Sequence, residues 1–183
     1  MIYSKTVTLR DGRTCVLRNG TEADAQGVLS NFILTHGQTD FLTTYPDETT
    51  LTVLQERDYL KRKTENPREI ELLAEVDGTI TGTAGIGGVG SAEKTSHRAS
   101  FGIGIDKVWW GLGIGRALTE ACIECAAAAG YSQLELEVVA NNERALSLYK
   151  SVGFVEYGRN PNGFISRTIG RQAIVLMRLE LNG

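Results

Sequence analysis

Cysteine, proline and histidine are all scarce in this 183-residue chain, at three, three and two residues. Cys15, Cys122 and Cys125 are an odd number and make no disulfide framework. Cys122-Ile123-Glu124-Cys125 does match C-x-x-C. However, Leu118, Ala121, Cys122, Cys125, Ala126 and Ala129 succeed one another at helical spacings, which places both thiols on a buried stripe. There is no second C-x-x-C, and His36 and His97 stand alone. Core cysteines and no metal centre are therefore expected. A basic excess is missing too: 19 Lys and Arg against 22 Asp and Glu give a net charge of −3. Nucleic acid and anionic membrane surfaces both demand the opposite balance. No apolar run approaches the roughly 18 residues of a membrane helix. Residues 1–10 lack the apolar core of a signal peptide, so a cytoplasmic address is expected.

What is present is ordinary for a globular chain: 42% apolar and 22% charged residues, a balance that excludes a disordered or collagenous protein. No repeat or linker interrupts it, and a single domain over 1–183 is expected. Asp11-Gly12 between 7–9 and 15–17 reads as a first hairpin. Thr21 followed by acids reads as a helix start, with Val28, Leu29, Phe32 and Ile33 as the apolar face. A second helix is expected from about 50 to 63, with Leu51, Leu54 and Tyr59 turned inward. Asp77-Gly78 joins strands 69–76 and 79–86. A strand over 99–105 alternates Phe101, Ile103 and Ile105 against Ser100, Gly102 and Gly104. A long helix to about 129, a strand over 133–139, a short helix over 142–151 and two closing strands follow, near 154–157 and 173–181. The expected class is α/β (α+β), a mixed, largely antiparallel sheet of six to seven strands with helices on both faces.

Two glycine clusters compete for a chemical role. Gly85-Ile86-Gly87-Gly88-Val89-Gly90 is a literal G-x-G-x-x-G, which a dinucleotide oxidoreductase would use. The residues after it, 91–98, have no apolar period and supply no helix, so this cluster reads as a strand end and loop. Trp110-Gly111-Leu112-Gly113-Ile114-Gly115-Arg116 instead runs straight into the long amphipathic helix. Its glycines let backbone amides approach an anion, the first helical turn offers free N–H groups, and Arg116 adds positive charge. No G-K-[ST] follows, which excludes a Walker A loop. Gly102 and Gly104 leave the preceding strand bare for an amide-bearing ligand arm. Such an arm, ending in a diphosphate, describes coenzyme A. Further on, Asn142 caps a helix on which Ala145 and Tyr149 share one face.

Together these segments resemble the GNAT superfamily of acetyl-CoA-dependent N-acetyltransferases. Gly113 and Gly115 fill the glycines of its [RQ]-x-x-G-x-[GA] motif, with Trp110 standing where Arg or Gln is usual. Asn142, Ala145, Tyr149, Gly153 and Phe154 complete its N-x-x-A-x-x-x-Y-x-x-x-G-F pattern. The resemblance implies acetyl-CoA as co-substrate and no metal. Ile103, Gly104 and Ile105 would pair with the pantetheine arm. Trp110, Gly111, Leu112, Gly113, Ile114, Gly115 and Arg116 would hold the pyrophosphate, and Asn142 and Ala145 would line the cofactor. Tyr149 would be the general acid that protonates the departing thiolate. The acceptor would be an amine of a small molecule or protein, and a homodimer is expected by analogy.

The general base has no clear candidate. Ser100 occupies the position where the family often carries a glutamate. Glu135, Glu137, His97 and an ordered water chain are the substitutes, with Glu135 and Glu137 equally readable as the polar face of a strand. The connection 37–49 is expected to meet the acceptor, its Asp40, Asp47 and Glu48 favouring a cation and Phe41 and Tyr45 forming an apolar wall. A non-catalytic acyl-CoA-binding sensor on the same scaffold is the alternative that the serine suggests.

Overall fold

A computed structural model describes residues 1–181. Eight strands form one sheet in the order β1-β2-β3-β4-β5-β6-β8-β7. They are β1 (Ser4–Thr8), β2 (Thr14–Asn19), β3 (Ile70–Val76), β4 (Thr79–Gly88), β5 (Arg98–Ile105), β6 (Gln133–Val139), β7 (Val155–Ser166) and β8 (Gly170–Glu180). Four α-helices intervene: α1 (Ala25–Gln38), α2 (Val53–Glu65), α3 (Ile114–Ala128) and α4 (Glu143–Ser151). Every neighbouring pair is antiparallel except β5 with β6. The sheet thus has eight strands, more than the six to seven expected, because the first hairpin contributes two full strands.

Turn chemistry sets the registers. Asp77 and Gly78 both have positive φ, 50° and 76°, the backbone that a two-residue hairpin turn requires. The closing hairpin is longer than its apolar runs suggest. Pro161 and neighbouring Asn and Gly read as loop, yet they lie in β7, an edge strand that breaks register between Asn160 and Phe164. An edge strand tolerates proline because its outward amides need no partner.

Alternation along the strands sorts the two faces. Leu72, Ala74 and Val76 of β3 join Leu118, Cys122 and Cys125 of α3 in the main core. Leu73, on the opposite face, packs with Val28 of α1 and Leu60 of α2. All three cysteines are buried and free. Two expectations need correction. Ile33 is exposed, as are Leu51 and Leu54. Helix α2 starts only at Val53, after a cap in which the Thr52 hydroxyl accepts the Gln55 amide. That start turns the row through Glu56 and Leu60 inward, and because the row contains an acid, an apolar pattern misses it. No helix among the described residues is long and apolar enough to cross a membrane.

Candidate active site

The site begins where the sheet comes apart. β5 and β6 pair only from Arg98–Gln133 to Ser100–Glu135. Beyond those rungs β5 is bonded to β4 alone and β6 to β8 alone. A cleft of about 1660 Å³ runs from residues 109–116, through this split, to α1 and α2.

At one end stands the loop that leads into α3. Gly113 caps the helix with φ 104°, and Gly111 has φ 88°. Both are left-handed values that cost an L residue energy and glycine nothing. The amides of Ile114, Gly115 and Arg116 open the helix with no intrahelical acceptor, so the loop can cradle an anion. Trp110, Gly111, Gly113, Gly115 and Arg116 line the cleft. Leu112 and Ile114 do not: both side chains pack into the core, leaving only their backbone to the loop. The Arg116 guanidinium is engaged with Glu120 and with Ser151 Oγ.

Trp110 has a bracing task. Its indole N–H donates to the Ile105 carbonyl (2.8 Å), tying the loop to the end of β5. Two arginines that sequence reading passed over converge here. Arg144 of α4 lies 5.0 Å from the Trp110 ring centre, and Arg10 donates to the Gly111 carbonyl (3.2 Å). Their charge belongs to positions distant in sequence, so no local motif announces it.

In the split itself, Ile103 and Ile105 turn their side chains to the α3 core while Gly104 faces α1. Asn142 serves as the α4 cap, its Oδ1 accepting the Ala145 amide (3.2 Å). Ala145 lines the cleft one turn before Tyr149. The Tyr149 ring is wedged between Phe101, 6.0 Å away edge-on, and Phe154, 5.9 Å away. Among the described residues its hydroxyl has no hydrogen-bond partner. Burial pushes the phenol well above its usual range, so it stays protonated at neutral pH.

The far end of the cleft lies under α1 and α2. Phe32, Thr35, His36, Phe41 and Leu42 line it. The acids of the connection do not. Asp47 is held by Arg167 in the β7–β8 turn (2.8 Å), Glu48 lies 3.9 Å from the same guanidinium, and Asp40 accepts from Thr168. Tyr45 accepts the Arg167 amide and packs beneath its guanidinium, so it braces that turn and forms no wall of the cleft. His97 is exposed and outside the cleft. Ser100 donates to the Gly87 carbonyl (3.2 Å). Arg98 grips Glu135 with two guanidinium nitrogens, and Glu137 is exposed at the cleft wall.

Two further carboxylates line this end, and neither stood out in the sequence. Glu71 of β3 accepts from the Tyr59 hydroxyl (2.9 Å), and Glu56 of α2 is buried nearby. Burial pushes the Glu71 carboxyl up to about 7, against the pull of Tyr59 and Lys63. Burial also raises Glu56. Burial lowers His36, whose Nδ1 lies 2.8 Å from the Phe32 carbonyl.

Comparison with known proteins places this architecture. A crystallised acetyltransferase of the GNAT family from Streptococcus pneumoniae superposes with a TM-score of 0.87 at 28% identity, covering 91% of this chain and 99% of that one. YncA from Salmonella typhimurium, solved with its cofactor acetyl-CoA, shares the fold at a TM-score of 0.81 and 19% identity, covering 92% and 95% of the two chains. In sequence, the [ribosomal protein bS18]-alanine N-acetyltransferase of Escherichia coli K12 is 37% identical over 82 residues, 45% of this chain. That stretch spans 55% of the relative's own length, about half of it. Residues 34–154 match the sequence profile of the Acetyltransferase (GNAT) family, a span that holds the α3 loop, the β5–β6 split and Tyr149. The chain belongs to the GNAT acetyltransferase family.

Proposed function

We propose that this protein, acting as one domain over 1–183, transfers the acetyl group of acetyl-CoA to a primary amine of a small molecule or a protein. In this reading residues 110–116 hold the pyrophosphate through backbone amides, with Arg144 and Arg10 adding charge. The free edge of β5 at Ile103, Gly104 and Ile105 pairs with the pantetheine arm, and Asn142 and Ala145 border the thioester. The neutral amine attacks the acetyl carbonyl, the C–S bond breaks, and Tyr149 gives its proton to the sulfur.

One observation carries the reading. The phenol of Tyr149, without a hydrogen-bond partner among the described residues, is fixed by two aromatic rings beside the split, where a thioester threaded between β5 and β6 would end. A protonated phenol is the donor that a leaving thiolate needs. YncA's bound cofactor and the alanine acceptor in the name of the Escherichia coli relative agree with donor and acceptor.

Thiol release from acetyl-CoA, followed across a panel of primary amines, tests this. Amine-dependent release supports it. Coenzyme A binding with no release for any amine would favour the acyl-CoA sensor.

A further inference from the structure

Glu71, Gly85 and Gly102 stand side by side on adjacent strands, in register, on the face of the sheet that α1 and α2 cover. Gly85 has no side chain, and the Glu71 carboxylate occupies that space: a Cβ added there would lie 2.2 Å from Glu71 Oε2. Over Gly102 such a Cβ would meet nothing within 4 Å. The acid therefore lies across β4 and borders open cleft at β5, the strand that flanks the split. Strand spacing puts β5 about 10 Å from the β3 backbone, so the carboxylate over β4 leaves about one strand width of open cleft over Gly102 for the acceptor's amine.

Charge accounting narrows the choice: Glu137 and Glu143 also line the cleft but are exposed to solvent, which leaves the acids of its covered end. Glu135 is engaged by Arg98, Asp47 and Glu48 by Arg167, and Glu69 by Lys63 (3.0 Å). Glu71 has a neutral partner in Tyr59. Glu56 is only 7% exposed and lines the cleft, with no hydrogen-bond or ion-pair partner among the described residues. Its oxygens open on the cleft, and a largely covered carboxylate with no cation beside it is a favourable place for one. The groups facing Glu71 are few. From α2 come Tyr59, Glu56 and Lys63, whose Nζ also donates to the Ile86 carbonyl, with exposed Arg62 farther along the helix. Glu69 of β3 is paired with that lysine, Thr83 of β4 is neutral, and α1 brings His36 to the cleft, while the neutral Cys122 thiol of α3 lies behind the sheet on its other face.

We infer that Glu71 takes the proton from the acceptor's ammonium group and that Glu56 beside it holds that cation, so the acceptor enters as a positively charged primary amine from the α1–α2 side of the split. The inference rests on the acetyl-transfer reading above. One ammonium proton passes to the Glu71 carboxylate, and the freed nitrogen pair forms the C–N bond to the acetyl carbonyl. The C–S bond breaks, its electron pair stays on sulfur, and sulfur takes the Tyr149 proton. The second nitrogen proton restores the phenol through solvent, and Glu71 releases its own. The products are the amide, coenzyme A thiol and one proton. Burial suits Glu71 to this exchange, because a base poised near neutrality both accepts and releases a proton readily.

The test uses thiol release with n-butylamine, spermidine and L-lysine amide over pH 5–10, on the wild type and on Glu71→Gln, Glu71→Asp and Glu56→Gln. Coenzyme A affinity is measured by calorimetry on the same samples. We expect Glu71→Gln to lose about 100-fold or more in kcat/KM near pH 7 at unchanged coenzyme A affinity. Its pH profile should rise only toward the amine's own pKa of about 10, with Glu71→Asp recovering part of the loss. Glu56→Gln should raise KM more than it lowers kcat. A wild-type rate and pH profile in Glu71→Gln would overturn the inference and leave acetyl transfer standing. A wild type that releases thiol with no amine would overturn both.

Discussion

Ser100 faces Glu135 across the last rung that β5 and β6 share. Neither residue is free: the serine is spent on the Gly87 carbonyl and the glutamate on Arg98. Ser100 thus helps close the sheet here, and in the proposed mechanism it moves no proton. Ser100→Ala should leave turnover within about threefold, since it removes one modest hydrogen bond. Glu135→Ala, which removes the partner of the Arg98 guanidinium at the last shared rung, should lower the urea midpoint. A large loss of turnover in Ser100→Ala would return the serine to the chemistry.

Tyr149→Phe keeps the ring that packs on Phe101 and Phe154 and deletes only the hydroxyl. Turnover should drop by about 10²- to 10⁴-fold, while calorimetry finds coenzyme A affinity unchanged. Equal losses in rate and affinity would reassign the phenol to binding.

Gly113→Asp should abolish coenzyme A binding, because it forces a side chain onto a backbone with φ 104° and sets a negative charge at the anion cradle. Gly130→Ala, at φ 77° past the other end of α3, carries comparable backbone strain of about 1 kcal/mol. It should leave affinity intact. Matching behaviour of the two variants would mean that strain, not the cradle, controls binding.

Stability should respond to pH through two acids of opposite sign. Arg18 holds the Asp24 carboxyl at about 2 in the folded state, below its ordinary value of 3.8. That contribution is present above about pH 4 and is lost as pH falls toward 2. Burial does the reverse to Glu71, raising it from 4.5 to about 7. Its protonated form favours the fold below about 4.5, and this contribution disappears as pH rises through 7. Urea melts of Glu71→Gln should therefore gain on the wild type at pH 8 and match it at pH 4.5. No difference between the two pH values would mean that the carboxyl is solvated.

Local chemistry made much of this legible in the sequence. Asp77-Gly78 announces its hairpin, Asn142 its helix, and the run from Leu118 to Ala129 its buried stripe with both cysteines. The glycines at 111 and 113 likewise mark the left-handed turn that opens α3. What stayed hidden depends on register between distant segments. Glu71 is one acid in an alternating strand until Gly85 is placed opposite it. Asp47 and Glu48 look available until Arg167, far along the chain, closes on them. Glu56 breaks the apolar pattern of α2, so the pattern points to Leu51 and Leu54 instead, and both lie in solvent.

The three shared rungs between β5 and β6 also divide the molecule mechanically. On one side stand five strands, on the other three, and the seam between them is laced only at Arg98–Ser100. An unlaced seam breathes, and its amides exchange hydrogen with water faster than those of a closed sheet. A ligand arm lying along β5 would stitch the halves together. The free protein should therefore be looser across its middle than at its rim, inverting the usual order in which central strands are the most rigid.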